Sequence, residues 1–436
     1  MLKYWHKLTS LVDRLLRHDD HRTEIFTYIC FAAAPVAGSV ASVAVNAGAV
    51  GGVIEICRRI IPLTRDRLAL LLTASLYLYS FAYTLSLAFN PEPSWKNLVP
   101  ILPLLMFPFL YSSWCISRKA TVAAAVLGGS ALACYGGAVI AAVQFHLYGT
   151  RAEGGAGNPI VFATVICLAA SMVLAGVFYA RKKKAIALLG AYCAGTIAIL
   201  YSGSRATWIA LLLSSVVILW ISRDRWVRRV SRRTLIGISV AIAAIALVAS
   251  QTIPHRVGEL VTDWHQINLE DDYDSSLGRR LTLWEIALSS IAANPFIGTG
   301  PQSTKPVIAA GFALKGLDVQ YSHFHNGFLT AWVETGIVGL FSLIVLFLIS
   351  VVNGVRILRD ATAMETRLGG TMLVVTAATY LTTGMSGIIV GHDILDAMLL
   401  AFLAVGSYLA AGTSVLATSL ATTAAVDVRH EGGRQP

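Results

Sequence analysis

Long apolar segments recur along almost the whole chain, and they limit the folds that it can adopt. Residues 157–180, 328–355 and 393–414 each exceed the roughly 18 residues needed to cross the hydrocarbon core of a bilayer. Backbone groups within hydrocarbon must satisfy their own hydrogen bonds, so such runs form helices. The chain is 56% hydrophobic and 13% charged, which is about half the charge of a soluble domain. We therefore predict an all-α polytopic membrane protein.

The apolar pattern predicts about twelve transmembrane helices. The small residues of segment 31–52 allow close helix packing and are compatible with one long helix or a broken pair. The predicted spans lie near 25–44, 46–61, 66–89, 97–117, 120–146, 157–180, 184–201, 205–222, 234–253, 328–355, 368–390 and 393–414.

Basic residues give the orientation of the chain, because lysine and arginine collect in cytoplasmic loops. With the first residues inside, all but eight of the 34 basic residues fall on that side. Both termini are therefore predicted to be cytoplasmic, and the first residues do not resemble a cleavable signal peptide. The net charge of +10 follows from these loops and does not indicate nucleic-acid binding. The outward basic residues are Lys96, Arg151, Arg205, Arg256, Arg279, Arg280, Lys305 and Lys315.

The spacing of the spans divides the chain into five parts, one of which is a large outward loop. Within that loop, residues 280–293 have the helical spacing of an amphipathic helix, which Asn294 and Pro295 end. We expect this helix to lie on the membrane surface or to pack on the ends of the spans. The parts are a cytoplasmic segment 1–24, transmembrane helices 1–9 at 25–253, the loop 254–327, transmembrane helices 10–12 at 328–416, and a disordered cytoplasmic tail 417–436.

Three of the outward arginines are candidate anion-binding residues. Arg205 lies at the predicted start of a helix, where free backbone amides and the helix dipole already favour an anion. Arg279 and Arg280 form a pair before the amphipathic helix, and guanidinium groups bind phosphate oxygens in a bidentate manner. The alternatives are an arginine that extends along its apolar stem to the membrane surface and a pair that contacts solvent or lipid headgroups.

Histidines mark the point where the large loop enters the membrane. His325 directly precedes the apolar run that begins near Phe328, and imidazole titrates near neutral pH. His325 is therefore a candidate general base, or else a loop histidine beside a helix cap. Tyr321 and His323 lie close by and are further candidate substrate-binding residues. The six cysteines match neither a disulfide framework nor a zinc site, and no other metal set is evident.

Together these residue types indicate one class of reaction. Outward arginines suit a diphosphate leaving group, and a histidine at the boundary suits the removal of a proton from a hydroxyl. Arginines stabilise a departing diphosphate in enzymes that use no magnesium for this purpose. We predict the transfer of a group from a lipid diphosphate to an alcohol at the outer leaflet.

Three motifs resemble those of the bacterial O-antigen ligases, a family whose superfamily also contains O-antigen polymerases and protein O-oligosaccharyltransferases. His325-Asn326 followed after nine residues by Gly336–Gly339 is similar to the pattern H-[NSQ]-x9-G-x-x-[GTY]. Ser204-Arg205 before an apolar helix is similar to the Ser-Arg start of a span. Residues Arg280–Trp284 and Asn294–Gly300 are similar to the run R-x-x-x-W…N-P-x-x-G-x-G.

The resemblance implies a glycosyltransferase of the GT-C type in the bacterial inner membrane, with its active site facing the periplasm and the large loop periplasmic. The donor would be O-antigen on undecaprenyl diphosphate, and the acceptor would be a sugar of lipid A-core. The reaction would invert the anomeric carbon without a metal or other cofactor.

The same resemblance assigns roles to individual residues. His325 would be the base, with Asn326 orienting it, although His323 is close enough to be the base instead. Arg205 and Arg280 would be diphosphate ligands, and Arg279 could share that role.

Two alternatives remain at this point. An O-antigen polymerase of the same superfamily would join two lipid-linked glycans, and such enzymes often have a second large arginine-rich periplasmic loop. The other outward loops here are short and contain only Lys96 and Arg151, which favours the ligase. A transporter of polyprenyl-linked glycans would be expected to show repeated halves with charged or broken spans, and no internal repeat is evident.

Overall fold

A computed structural model of the protein describes residues 20–58, 63–90, 93–227, 232–269, 273–315 and 321–413. This part of the chain is helical and contains no β-strand. Residues 1–19 of the predicted N-terminal segment and the predicted tail 417–436 lie outside it. The helices are α1 (20–32), α2 (Ala34–Ala37), α3 (Val40–Cys57), α4 (Arg67–Ala88), α5 (Leu102–Leu105), α6 (Phe107–Trp114), α7 (Lys119–Leu147), α8 (Pro159–Val177), α9 (Lys182–Ser202), α10 (Arg205–Ile221), α11 (Arg223–Val227), α12 (Arg232–Leu269), α13 (Ser276–Ala293), α14 (Thr304–Leu314), α15 (Gly327–Asp360), α16 (Met364–Gly384) and α17 (Asp393–Ala411).

Helices α8 and α17 form the centre of the bundle. Nearly all of their side chains are buried. Helix α8 packs against α7, α9, α10 and α16, whereas α17 packs against α3, α6 and α16. Asn158 begins α8 by accepting hydrogen bonds from the amides of Ile160 and Val161, as expected for a helix-capping residue. Apolar residues on every face of a helix indicate this central position.

Eight helices among the described residues are long and apolar enough to cross a membrane. The described residues therefore form an all-helical, polytopic membrane protein, as predicted. Helices α1, α10, α12 and α16 occupy the positions of the other predicted spans, and the count of twelve stays a prediction. The eight are α3, α4, the segment Trp95–Trp114, α7, α8, α9, α15 and α17.

Two of the predicted spans are interrupted by proline or glycine. The boundary predicted between residues 44 and 46 lies instead at 33–39, where Pro35 starts the short α2 and Gly38 has φ 54°. The span predicted at 97–117 consists of a 3-10 helix, Trp95–Ile101, followed by α5 and α6. Pro100 lies inside that 3-10 helix, and proline cannot donate the backbone hydrogen bond of a helix interior.

Helix α12 extends further than predicted. The loop was expected to begin at residue 254, yet the helix continues through Pro254 to Leu269. Its 38 residues would measure about 57 Å, nearly twice the thickness of a hydrocarbon core of about 30 Å. Part of α12 therefore projects beyond the membrane.

The predicted amphipathic helix of the large loop is α13, which starts four residues earlier than expected. The Ser275 hydroxyl accepts a hydrogen bond from the amide of Gly278, and Asn294 ends the helix. Helices α13 and α14 share a small apolar core that also includes residues near the start of α15. This core holds the segment 321–327 in place. Its buried members are Leu283, Ile286, Ala287, Ile291, Ile308, Phe312, Phe324 and Val333.

Candidate active site

His325 lies in a backbone conformation that side chains seldom adopt. Its φ of 49° makes it one of two non-glycine residues with positive φ in the described chain. The neighbouring residues fix this turn, since Phe324 is fully buried and the Asn326 side chain caps α15. Asn326 Oδ1 accepts from the amides of Phe328 and Leu329 at 3.0 and 3.2 Å. Strained conformations of this kind persist where the surrounding structure imposes them, often at functional sites.

The cap gives a physical reason for asparagine after the histidine. Short polar side chains that accept from the first helical amides are preferred at this position. Asn326 was predicted to orient His325, and its side chain acts on the helix start. No hydrogen bond joins its side chain to the imidazole among the described residues, so an effect on His325 would act through the backbone that the two residues share.

Trp284 of α13 fixes the segment before the histidine. Its indole Nε1 donates to the carbonyl oxygen of Phe324 at 3.2 Å. Since Arg280 lies one helical turn earlier on α13, the two named residues of the R-x-x-x-W motif have distinct tasks. Trp284 holds the histidine segment, and Arg280 brings a charge to it.

Aromatic rings surround the imidazole of His325. The His323 ring centroid lies 4.4 Å from it, and the Tyr321 ring centroid 5.5 Å, in an edge-on arrangement. The Ser322 hydroxyl lies 3.0 Å from His323 Nδ1. The structure therefore brings Tyr321, His323 and His325 into one group. His392, at the start of α17, interacts electrostatically with His323.

The environment keeps the His325 imidazole neutral. Burial, and next the positive charge of Arg280, lower the pKa of His325 to about 4, against the opposing effect of a backbone hydrogen bond with Ser386. Burial and then the neighbouring His325 lower the pKa of His323 to about 4 as well. His325 Nδ1 is buried and has no hydrogen-bond partner among the residues that the structure describes. A neutral imidazole with an unpaired nitrogen has the form that a proton acceptor requires.

Arg205 and Arg280 belong to one electrostatic cluster with two further arginines. Arg205 is the first residue of α10 and donates from Nη1 to the carbonyl of Arg256 at 3.2 Å. Arg151 donates from Nε to the carbonyl of Ser202 at 2.8 Å. Arg256 donates to the carbonyl of Gly203 from Nε and Nη2, both at 3.2 Å. The turn that precedes α10 therefore gathers these guanidinium groups.

The four positive charges repel one another. Burial first, and then the charges of Arg205 and Arg256, lower the pKa of Arg280. Burial, Arg256 and other neighbours lower the pKa of Arg151 to about 10. A bound anion would relieve this repulsion, and a diphosphate fits the bidentate geometry of guanidinium groups.

Few of these positive charges are neutralised by the protein. Glu259 forms an ion pair with Arg256, and Asp263 interacts electrostatically with Arg280. Arg280 makes no hydrogen bond or ion pair with another described residue, so its guanidinium is available to a ligand.

Arg279 is placed differently from Arg280. Its guanidinium forms an exposed ion pair with Asp274, with Nη2 2.7 Å from the carboxylate oxygen. Asp274, followed by a hydrogen bond with Tyr321, raises the pKa of Arg279. Of the two adjacent arginines, only Arg280 interacts with both Arg205 and His325.

Arg151, Arg256 and His392 were not among the predicted site residues. Their membership depends on contacts between residues far apart in the chain, since Arg151 meets Ser202 across 51 positions. One signal was present in the sequence, because Arg151 and Arg256 are two of the eight basic residues assigned to the outward side. His392 directly precedes the predicted span 393–414 at its outward end, so the sequence places it on the same side.

The glycine-rich motif after α13 packs on an interruption in α15. Gly336 has φ 67° and breaks this helix, and a Cβ there would overlap the carbonyl of Phe296. The break frees the Val333 carbonyl, which accepts from the Thr299 amide at 2.7 Å. Gly298 faces the same stretch of α15, where a Cβ would also collide. Two of the recognised motifs therefore touch, and their glycines permit the close approach of two backbones.

Comparison with known proteins supports the predicted family. A family model described as O-antigen ligase matches residues 189–344, which contain Arg205, Arg256, Arg280 and His325. The resemblance to the O-antigen ligase superfamily is thereby confirmed.

Two relatives share low sequence identity with the chain. A protein of Haemophilus influenzae described as uncharacterized is 26% identical over 292 residues, 63% of this chain and 70% of the relative. An O-antigen ligase of Escherichia coli is 23% identical over 176 residues, 39% of this chain and 42% of that ligase.

Proposed function

We propose that the protein is an O-antigen ligase, which transfers a glycan from undecaprenyl diphosphate to a sugar hydroxyl of lipid A-core. The reaction takes place at the periplasmic face of the inner membrane, and both chain termini are cytoplasmic. The observation that carries this proposal is that α13 connects the two groups, because its Trp284 donates to the carbonyl of Phe324 beside His325 at 3.2 Å, and Arg280, one turn earlier, interacts electrostatically with both Arg205 and His325. Diphosphate ligands and a base are needed at the two sides of one reacting carbon, and these residues come from three separate helical regions.

In this mechanism the arginines act on the leaving group. As the bond between the anomeric carbon and the diphosphate oxygen breaks, its electron pair moves to the diphosphate. Arg205 and Arg280 bind that growing negative charge, and Arg151 and Arg256 add to the positive potential. Preorganised charges of this kind lower the barrier because they need no rearrangement during the reaction.

His325 acts on the acceptor. The acceptor hydroxyl oxygen attacks the anomeric carbon from the face opposite the diphosphate, so the configuration inverts. The hydroxyl proton passes to the neutral imidazole of His325, and the departing diphosphate takes the electron pair. A bound diphosphate would also offset the effect of Arg280 and strengthen His325 as a base.

A reconstituted transfer assay tests this function. Purified protein in vesicles would receive an O-antigen donor on undecaprenyl diphosphate and purified lipid A-core. We expect a longer lipopolysaccharide product, with free undecaprenyl diphosphate released and activity unaffected by a chelator. Joining of two donor glycans without lipid A-core would indicate a polymerase, and movement of the donor across the vesicle without a new bond would indicate a transporter.

A further inference from the structure

A cavity of about 500 Å³ lies at the start of α17. Its volume is within the range of small-molecule sites, about 300–1,000 Å³. Residues of α3, of the Trp95–Ile101 helix, of the loop before α14 and of α17 form its wall. None of the four clustered arginines lines it.

One segment of the chain connects this cavity to His325. Gly391 and Asp393 line the cavity, and His392 between them interacts electrostatically with His323. The His323 ring is in turn 4.4 Å from that of His325. His392 Nδ1 is buried and forms no hydrogen bond within the described part of the chain, and the carboxylate of Asp393 lies 3.3 Å away. His392 therefore links the wall of the cavity to the histidine group along the chain.

The polar groups of the cavity suit a saccharide. Asn46 and Gln302 contribute amides, and Asp393 and Asp396 contribute carboxylates. Such groups pair with sugar hydroxyls, whereas Val99 and two prolines offer apolar surface to the carbon faces of a ring. Lys96 is exposed and supplies the one positive charge of the lining. A single ammonium group suits an anionic substituent on a sugar better than a diphosphate.

The loop that carries Gln302 is held firmly. Gln302 has φ 62°, and a positive φ at a non-glycine residue persists only where neighbours impose it. Asn90 Nδ2 donates to the carbonyl of Thr299 at 3.3 Å, and Asn97 Nδ2 donates to that of Pro301 at 3.2 Å. These contacts fix the glutamine at the cavity wall, in the same loop that packs on the break at Gly336.

We propose that this cavity binds the saccharide of the acceptor glycolipid, with Lys96 contacting an anionic substituent and Gln302 and Asp393 contacting hydroxyls. The inference rests on the proposed transfer reaction. It places the donor diphosphate at the arginine cluster and the acceptor sugar at the cavity, with His323 and His325 between them. Each substrate then reaches the base from a different set of helices.

Binding measurements on the full-length protein in phosphatidylcholine vesicles test the proposal. The variants are Lys96→Ala and Gln302→Gly, because glycine adopts the positive φ of residue 302 without strain. Lys305→Ala is the matched control, since Lys305 is an exposed lysine of α14 that does not line the cavity. The probes are lipid A-core, the same lipid after phosphatase treatment, and undecaprenyl diphosphate.

We expect each cavity variant to bind lipid A-core about 10-fold more weakly, the size of one lost polar contact. Affinity for undecaprenyl diphosphate should not change, and the control should match the unmodified protein. Phosphatase treatment should weaken binding to the unmodified protein but not to Lys96→Ala.

Two results would overturn the cavity assignment. One is unchanged affinity for lipid A-core in both variants, and the other is an equal loss of affinity for both lipids. The same samples separate this inference from the proposed function. Acceptor binding that depends on Lys96 and Gln302, without any transfer by the unmodified protein, would support the cavity and refute the ligase. Normal transfer by both variants at unchanged KM for the acceptor would support the ligase and refute the cavity.

Discussion

At the end of α10 that carries Ile221, Arg367 has four hydrogen-bond acceptors, whereas the four clustered arginines at the end that carries Arg205 form one ion pair, between Arg256 and Glu259, among the described residues. Arg367 donates to the Tyr179 hydroxyl at 2.9 Å and to the carbonyls of Leu358, Ala361 and Ile221 at 3.0–3.1 Å. Arg280 has no such partner among the described residues. The first arrangement suits a residue that stabilises the fold, while the second suits the proposed binding of an anionic ligand, at a cost to stability.

The largest effect is expected from a substitution of His325, the proposed base. We expect His325→Ala to lower the rate of transfer by about 10²–10⁴-fold, the usual contribution of a general base, while donor binding is kept. Single-turnover kinetics in vesicles would measure this. His265→Ala, a change at an exposed histidine of α12, is the control and should transfer normally. A His325→Ala protein with ordinary turnover would remove His325 from the mechanism.

Substitution of arginines at the two ends of α10 tests directly whether one end binds a ligand and the other stabilises the fold. Arg280→Gln and Arg205→Gln should each weaken binding of undecaprenyl diphosphate by about 10–100-fold, because a charge-assisted contact is lost. The thermal stability of these variants should be unchanged or higher, since repulsion within the cluster falls. Arg367→Gln should have the reverse effect, with stability lowered by about 2 kcal/mol and donor affinity kept.

Calorimetry and a lipid-binding titration on the same preparations would measure both quantities. If Arg280→Gln destabilised the protein and left donor affinity unchanged, the two ends would not differ in the way described.

The break in α15 allows a test of how the site is supported. Gly336→Ala should reduce the amount of folded protein and its activity, because alanine disfavours φ 67° and its Cβ would meet the Phe296 carbonyl. Gly258→Ala is the matched control, since a Cβ at this helical position in α12 has open space and alanine favours a helix by about 1 kcal/mol. Size-exclusion profiles after mild heating would compare the two. Equal behaviour of both variants would mean that the loop does not depend on the break.

The smallest expected effect is a change in pH dependence. A base with its pKa lowered to about 4 stays neutral at higher pH, so kcat/KM should be flat above about pH 5 and fall on the acid side. Arg280→Gln removes a positive charge that lowers this pKa, so the pKa rises and the acid fall should move towards neutral pH. Profiles between pH 4 and 8 for the two proteins would show this, and a shift in the opposite direction would contradict the assigned contact.

The sequence predicted local features well where neighbouring residues decide them. Helix α10 was expected at 205–222 and extends from Arg205 to Ile221, because a Gly-Ser turn and a basic segment bound an apolar run. Helix α13 was found with its predicted end at Ala293. Helix α12 was expected to end near residue 253 and continues past Pro254 to Leu269, although proline disfavours the interior of a helix.

Other parts of the site depend on tertiary contacts that spacing cannot reveal. The position of Arg256 is set by the Gly203 carbonyl, 53 residues away, and His392 comes from a different span. The positive φ of His325 arises because the buried Phe324 and the Asn326 cap confine it from both sides. No local sequence pattern distinguishes Arg280 from Arg279. The two arginines differ only in the residues that the fold places next to them.

The interruption at Gly336 divides α15 into two rods joined by a hinge-like turn. The second rod, residues 337–360, would measure about 36 Å and could span a bilayer by itself. Both rods are attached to the loop at the break, since the Pro295 carbonyl accepts from Trp332 of the first rod and from the amide of Ile337 of the second, and the Thr299 amide donates to the Val333 carbonyl. The position of the His325 imidazole is therefore set by contacts of the loop with α15. A change in lipid chain length should alter the position of the protein in the bilayer more than it alters the rate of the reaction.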